Sequence, residues 1–170
     1  GYSPIILALG DRAFFDVNNN GVRDAAETGI PGLAVNLYKD NDNDNIADGT
    51  AIATTTTNGT GNYLFSNLAP GNYIVGVTPP AGYTSSTNSA IDPDNDIDAD
   101  DNGTNRAGAE WRGLSITLAA GTEFNGTASN TNTNISYDFG FFQPAPASLG
   151  DRVWKDDNGD GIQDAGETGV

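Results

Sequence analysis

Short stretches in which apolar and polar residues alternate recur along the chain, with turns of Gly, Asn, Asp and Pro between them. In residues 33–38 every second side chain is apolar, as on a strand with one buried face. Residues 61–65 and 72–77 show the same pattern on either side of a short turn, which predicts a hairpin. Further strands are predicted at residues 13–15, 50–57, 114–118 and 135–141. About seven strands with frequent turn signals indicate an all-β, immunoglobulin-like Greek-key sandwich.

The chain contains an internal repeat. Gly10-Asp11-Arg12 and the acidic loop that follows recur 140 residues later, from Gly150 onwards, without a gap. Residues 1–4 resemble residues 140–144, so both ends are expected to be cuts through a tandem array. The predicted boundaries are residues 1–8 for the tail of a preceding repeat and its linker, 9–143 for a complete repeat, 144–148 for a Pro-rich, extended linker and 149–170 for the truncated start of the next repeat.

Residues 16–27, here called loop 1, match the calcium-loop pattern D-x-[DN]-x-[DN]-G-x5-E at every position. Ca²⁺ prefers six to eight hard oxygen ligands, and this spacing supplies carboxylates, amides and one main-chain carbonyl. Pro31 follows too closely for an exiting helix, so the loop is expected to join strands. Residues 156–167, the repeat loop, have the same pattern. The predicted ligands are Asp16, Asn18, Asn20, the Val22 carbonyl, Asp24 and Glu27 in loop 1, and Asp156, Asn158, Asp160, the Ile162 carbonyl, Asp164 and Glu167 in the repeat loop.

Two further acidic loops lie within the complete repeat. Loop 2, residues 40–48, has the ligand spacing of a calcium loop but lacks the terminal Glu, and a simple polar turn is the alternative to a metal site. Loop 3, residues 92–101, has six carboxylates in ten residues and is either a metal site or a flexible acidic loop. The predicted ligands are Asp40, Asp42, Asp44, the Ile46 carbonyl and Asp48 in loop 2, and an unassigned subset of Asp92, Asp94, Asp96, Asp98, Asp100 and Asp101 in loop 3.

The charge of the chain makes cations its natural partners. The formal net charge is −16, with only 7 Lys and Arg residues. Phosphate-binding surfaces need basic clusters, so nucleic acids and anionic membranes are excluded as partners. One Ca²⁺ in each of the four loops would cancel about eight negative charges. The chain has no Cys, so bound metal is expected to stabilise a small domain in place of disulfides. No apolar run is long enough to span a membrane.

Several motifs together resemble a known family, the B repeats of serine-aspartate repeat surface adhesins. The resemblance is carried by Gly10-Asp11-Arg12 with loop 1, Gly61-x-Tyr63-x-Phe65-x-x-Leu68-x-Pro70-Gly71-x-Tyr73, Pro80-x-Gly82-Tyr83 and Asp138-Phe139-Gly140-Phe141. It implies a transthyretin-like, Cna-B-type sandwich with several Ca²⁺ per repeat and a principal metal site in loop 1. It also implies tandem repeats that form a calcium-stiffened stalk outside a bacterial cell. Loop 3 is longer and richer in Asp than the family pattern.

The predicted function is structural: a calcium-stiffened repeat of an extracellular stalk or secreted filament, whose partners are calcium ions and neighbouring repeats or subunits of the same protein. A module that binds a host, matrix or glycan ligand is the alternative, because the Thr-rich strand and Trp111 could contact one. An enzyme is not expected, because the chain has no His and no Cys for a triad or dyad. Its carboxylates also have metal-ligand spacing rather than the arrangement across a cleft that a glycosidase needs.

Overall fold

The computed structural model describes residues 4–87 and 92–170. These residues form eleven short strands and no helix, which confirms the all-β class, with more and shorter strands than the seven or so predicted. The strands are β1 (Leu7–Phe15), β2 (Ala34–Lys39), β3 (Asp48–Thr56), β4 (Asn62–Leu68), β5 (Gly71–Val77), β6 (Thr84–Ser85), β7 (Asn105–Ala107), β8 (Glu110–Arg112), β9 (Ile116–Leu118), β10 (Thr133–Asn134) and β11 (Phe139–Phe142). Residues 4–87 and 92–170 include no helix that is both long and apolar enough to cross a membrane.

The strands form two sheets that enclose one core. In the first sheet β1 pairs with β4 on one edge and with β10 and β11 on the other, and β6 continues the sheet beyond β11. The second sheet has the order β3-β2-β5-β8-β7, with β9 also paired to β5. Apolar side chains from the two sheets meet between them, as the alternating pattern predicts. Those with no exposed surface include Leu9, Val35, Leu37, Val75, Ile116, Phe139 and Phe141.

The predicted hairpin of β4 and β5 is wrong, because the two strands belong to different sheets. β4 pairs with β1 and β5 pairs with β2, so the short connection at Ala69 and Pro70 carries the chain across the core. A two-residue hairpin needs a turn with positive φ, which Asn-Gly or Asp-Gly provides and proline cannot. An alternating pattern indicates only that one face of each strand is buried. A hairpin within one sheet and a crossing between two sheets both satisfy it.

Tyr73 holds this crossing in place. Its side chain is buried, and its hydroxyl donates a hydrogen bond of 2.7 Å to the Ala69 carbonyl. Tyr73→Phe is expected to lower the free energy of unfolding by about 1 kcal/mol, because one neutral hydrogen bond is lost while the ring packing is kept. Urea denaturation measures the change. Tyr83→Phe, at a half-buried ring packed against Phe15, is the control and should cost less than about 0.5 kcal/mol. Equal losses would contradict the role of the Tyr73 hydroxyl.

The predicted strand at residues 135–141 is divided in two. β1 pairs in parallel with β10 at Ala8 and Leu9, and with β11 from Ala13 to Phe15. Residues 135–138 lie between β10 and β11, so the registers leave the middle of β1 unpaired along this edge. Asp11 lies in that gap.

Two more features differ from the sequence expectations. β1 begins at Leu7, which is 1% exposed and pairs with Leu68, so residues 7 and 8 belong to the sandwich rather than to a linker. The unpredicted strands β7 and β8 pair with each other and carry Trp111, whose side chain packs against the core. This contact agrees with a packing role for Trp111 rather than a ligand-binding one.

Candidate metal centre

Loop 1 leaves the end of β1 and is closed by its first and last carboxylates. Asp16 is fully buried, and its two oxygens accept hydrogen bonds from the main-chain N–H groups of Asn20 (3.1 Å) and Gly21 (2.8 Å). Glu27 accepts from the N–H groups of Val17 (2.7 Å) and Asp24 (2.9 Å). The carboxylates at positions 1 and 12 therefore both turn into the loop.

The remaining predicted residues of loop 1 lie between these two carboxylates. Asp24 accepts hydrogen bonds from the amide groups of Asn18 (2.8 Å) and Asn20 (3.2 Å). Val22 forms an isolated β-bridge with Asp100 of loop 3. Hydrogen bonds therefore tie the five predicted side chains into the loop, and the Val22 bridge sets the loop against loop 3.

Loop 1 is also tied to the sandwich. Asp16 donates its main-chain N–H to the Phe141 carbonyl (2.9 Å) and accepts a hydrogen bond from the Ser86 hydroxyl (2.6 Å). Asp101 donates its N–H to the Gly21 carbonyl (2.9 Å). Hydrogen bonds thus hold loop 1 to three segments that are distant in sequence.

Loop 2 repeats the turn of loop 1. Asp40 is 1% exposed and accepts hydrogen bonds from the N–H groups of Asp44 (3.2 Å) and Asn45 (3.1 Å), the same two loop positions that bond to Asp16. Asn43 and Asn45 have φ of 57° and 66°, matching the positive φ of Asn19 and Gly21 at the same positions of loop 1. Asn tolerates this left-handed conformation better than other non-glycine residues, so loop 2 does not need the glycine.

Asp48 closes loop 2 in place of the missing Glu. It accepts a hydrogen bond of 2.7 Å from the main-chain N–H of Asn41, at the position where Val17 bonds to Glu27 in loop 1. One oxygen each from Asp40, Asp42 and Asp48 lie within 4.8 Å of one another. Such a cluster of oxygen ligands can bind one hard divalent cation.

The charges of loop 2 are crowded. The neighbouring Asp44 carboxylate raises the pKa of Asp42 above its ordinary value. Burial alone would raise the pKa of Asp40, but hydrogen bonds, among them those from the N–H groups of Asn45 and Asp44, outweigh it and lower that pKa. Asp40 is therefore stabilised as the anion, while Asp42 is held close to other anions. Ile46 donates its N–H to Asp44 (2.8 Å), as Val22 does to Asn20 (2.9 Å) in loop 1.

The repeat loop has the same conformation without a sandwich around it. Asp156 accepts a hydrogen bond from the N–H of Gly161 (2.9 Å), and Glu167 accepts from those of Asp157 (2.9 Å) and Asp164 (3.0 Å). Asn158 bonds to Asp160 and Asp164, and Ile162 donates its N–H to Asp160. Residues 155–164 are all exposed. The turn is thus a property of the local sequence.

Loop 3 does not gather its six carboxylates in one place. Asp101 is fully buried and accepts hydrogen bonds from the N–H groups of Gly140 (2.9 Å) and Gly103 (3.0 Å). Asp94 accepts one from Thr117 (3.1 Å), towards β9. Asp98 lies near Asp11 of β1. The remaining predicted residues, Asp92, Asp96 and Asp100, are distributed along the loop, and Asp100 bonds to Asn95 and Asn102.

Sequence reasoning missed two acidic residues, Asp11 and Asp138. One oxygen each from Asp11, Asp98 and Asp138 lie within 4.8 Å of one another. Burial, followed by the Asp98 carboxylate, raises the pKa of Asp11 to about 7. Burial and then Asp11 raise the pKa of Asp138 well above its ordinary value. The signal that could have found them is a carboxylate inside an otherwise apolar strand pattern, in two of the motifs that carry the family resemblance.

Residues 7–141 match the SdrD B-like domain family. The chain belongs to this family. It is 36% identical over 171 residues to serine-aspartate repeat-containing protein F of Staphylococcus epidermidis, covering 100% of the chain and 9% of the relative. It is 35% identical over 162 residues to serine-aspartate repeat-containing protein D of Staphylococcus aureus, covering 95% of the chain and 10% of the relative. The chain thus spans about a tenth of the length of these relatives.

Membership of the SdrD B-like family confirms the predicted resemblance and the extracellular, cell-surface location, because the relatives are staphylococcal surface proteins. Neither the family nor these relatives are enzymes, as predicted. Among solved structures, the shaft pilin SpaA of Lactobacillus rhamnosus GG is similar to the chain with a TM-score of 0.46 and 14% identity, covering 84% of the chain and 51% of the pilin. That likeness is too distant to bear on function.

Proposed function

We propose that the chain is a structural repeat of a bacterial surface stalk or filament, stiffened by calcium bound in loops 1 and 2. The observation that carries the proposal is the turn that these loops share with the repeat loop. In each, the N–H group of the sixth position bonds to the carboxylate of the first, so that carboxylate is turned into the loop. Inward-facing oxygen ligands at this spacing fit Ca²⁺.

Calcium in these loops would act as a clamp on the sandwich. Loop 1 bonds to Ser86, next to β6, and to Phe141 of β11. Asn45 of loop 2 accepts a hydrogen bond of 2.9 Å from the N–H of Ser115, just before β9. A bound ion would remove the repulsion between the carboxylates within each loop, so the segments that the loops hold would be fixed more firmly. In an array of such repeats, the same effect would resist bending.

The proposed array follows the repeat in the sequence. Residues 9–143, extended at the start to Leu7, would form one repeat, and the exposed residues 144–148, which have no regular structure, would be the linker. Residues 1–6 and 149–170 would belong in part to the neighbouring repeats, which would be the main partners of this domain.

Glu27→Gln tests the role of loop 1. The variant is expected to lower the melting temperature by about 5 °C more in calcium than in chelator, because it weakens an ion site as well as two hydrogen bonds. Scanning calorimetry in both conditions separates the two effects, since the chelated protein shows only the loss of the hydrogen bonds. Glu167→Gln is the matched control. It makes the same change in the exposed repeat loop and should leave the main transition unchanged.

An equal loss for Glu27→Gln in calcium and in chelator would contradict the proposal. A specific, saturable ligand on glycan or matrix-protein arrays would favour the adhesin alternative instead, and the outer face of β3 would then be the first surface to test.

A further inference from the structure

A second kind of acidic cluster joins the sandwich to loop 3, with Asp138 buried, Asp11 half-buried and Asp98 exposed. Asp11 is in the middle of β1, Asp138 directly precedes β11, and Asp98 reaches them from loop 3. The three are far apart in sequence and do not fit a loop pattern. Their oxygens nevertheless lie within 4.8 Å of one another.

The most buried member of this cluster, Asp138, has one oxygen without a partner among the described residues. Asp138 has no exposed surface, and its Oδ2 accepts a hydrogen bond of 3.0 Å from the Ala99 N–H. Its Oδ1 is buried and has no hydrogen-bond partner within residues 4–87 and 92–170. A buried charged oxygen without a partner costs several kcal/mol or more, so native structures rarely keep one without a neutralising group.

The nearby arginines do not supply that group. Arg12 directs its Nε to the Asn62 side chain (2.7 Å), and it lowers the pKa of Asp11 less than burial and Asp98 raise it. Arg23 forms a long ion pair of 4.0 Å with Asp98, at the exposed side of the cluster, and among the described residues it makes none with the buried Asp138. Three carboxylates therefore meet at a point where neither arginine forms an ion pair with the buried Asp138.

The cluster lies beside a break in the pairing of β1, where a bound cation could connect two segments. The ladder between β1 and the last strands is broken beside Asp11, between the Leu9–Asn134 and Ala13–Phe139 pairs. Asp138 borders the same break. An ion bound to both carboxylates would join the two sides of the break where main-chain hydrogen bonds do not.

We propose that Asp11, Asp98 and Asp138 bind a divalent cation that joins β1 to the segment before β11 and to loop 3. Only oxygen ligands are present, which selects a hard ion such as Ca²⁺. The site is separate from loops 1 and 2, so it stands or fails independently of the function proposed above. Its alternative is a cluster held together by shared protons, with no metal.

Calcium titration by isothermal calorimetry distinguishes these two cases. Asp138→Asn and Asp11→Asn are each expected to bind one calcium ion fewer per chain than the unchanged protein, since each removes a charged ligand but keeps the side-chain shape. Asp151→Asn is the matched control. Asp151 is the repeat counterpart of Asp11 in the same Gly-Asp-Arg sequence but is exposed, so the variant should bind the full number of ions.

The proposal is overturned if both variants fold and still bind the full number of calcium ions. Higher stability of these variants in chelator would then show that the cluster is held by shared protons. If neither variant folds, crystals of the unchanged chain grown with Mn²⁺ decide: an anomalous peak within about 2.5 Å of Asp138 Oδ1 supports the site, and peaks only in the loops overturn it. Glu27→Gln in the same titration reports on loop 1 alone, so failure of the loop proposal is seen separately.

Discussion

Removal of calcium with excess chelator is expected to lower the melting temperature of the chain by about 15 °C. An ion at 100 times its dissociation constant stabilises the native state by about 2.7 kcal/mol, so loops 1 and 2 together contribute about 5 kcal/mol. In a chain of this size each kcal/mol shifts the melting temperature by about 3 °C. Differential scanning calorimetry with and without chelator measures the shift, and back-titration with calcium should restore the first value.

Sodium chloride at equal ionic strength is the control for this experiment. The chain carries a net charge of −16, so part of any calcium effect could come from general screening. Salt screens repulsion between exposed charges but does not bind a cage of oxygens, so it should restore only a small part of the lost stability. Full recovery in sodium chloride, or no loss in chelator, would contradict specific calcium sites.

The conformation of the loops could be predicted from the sequence because it is local. The pattern that identifies loop 1 also fixes its turn, and the exposed repeat loop forms the same hydrogen bonds from Asp156 and Glu167. Loop 2 follows the same rule with Asn at the positive-φ positions. Its closure by Asp48 was not predictable from the pattern, which expects the closing carboxylate three residues later.

Features that depend on contacts between distant segments could not be predicted in this way. Strand alternation is the same whether β4 and β5 form a hairpin or cross between sheets, and only the pairing partners decide. The cluster of Asp11 and Asp138 depends on the parallel pairing of the first and last strands, which are over a hundred residues apart. A list of acidic residues in one loop cannot reveal a site whose members come from a strand, the segment before another strand and a loop.

One contact links the loop chemistry to the fold. Gly29, at the end of the segment that contains loop 1, bridges to Phe14 and lies directly against Thr60 and Gly61 before β4. Gly61 has φ of 84°, and a Cβ there would lie 2.6 Å from the Cα of Gly29. Two backbones can cross this closely only if neither has a side chain at the crossing. The glycines therefore determine how closely loop 1 returns to the sandwich.

Gly29→Ala is accordingly expected to destabilise the chain by about 4 kcal/mol or more. The added Cβ would overlap the Thr60 carbonyl oxygen and lie 2.9 Å from the Cα of Gly61, and both are main-chain atoms that cannot rotate away. Guanidinium denaturation in saturating calcium measures the loss. Gly169→Ala is the matched control, because Gly169 is the repeat counterpart and its nearest neighbour is Arg152 Nε at 3.0 Å, part of a flexible side chain. That variant should cost less than about 0.5 kcal/mol. If both variants unfold at the same denaturant concentration, loop 1 is not held to the sandwich through this crossing, and calcium in the loop would have no rigid path to the core.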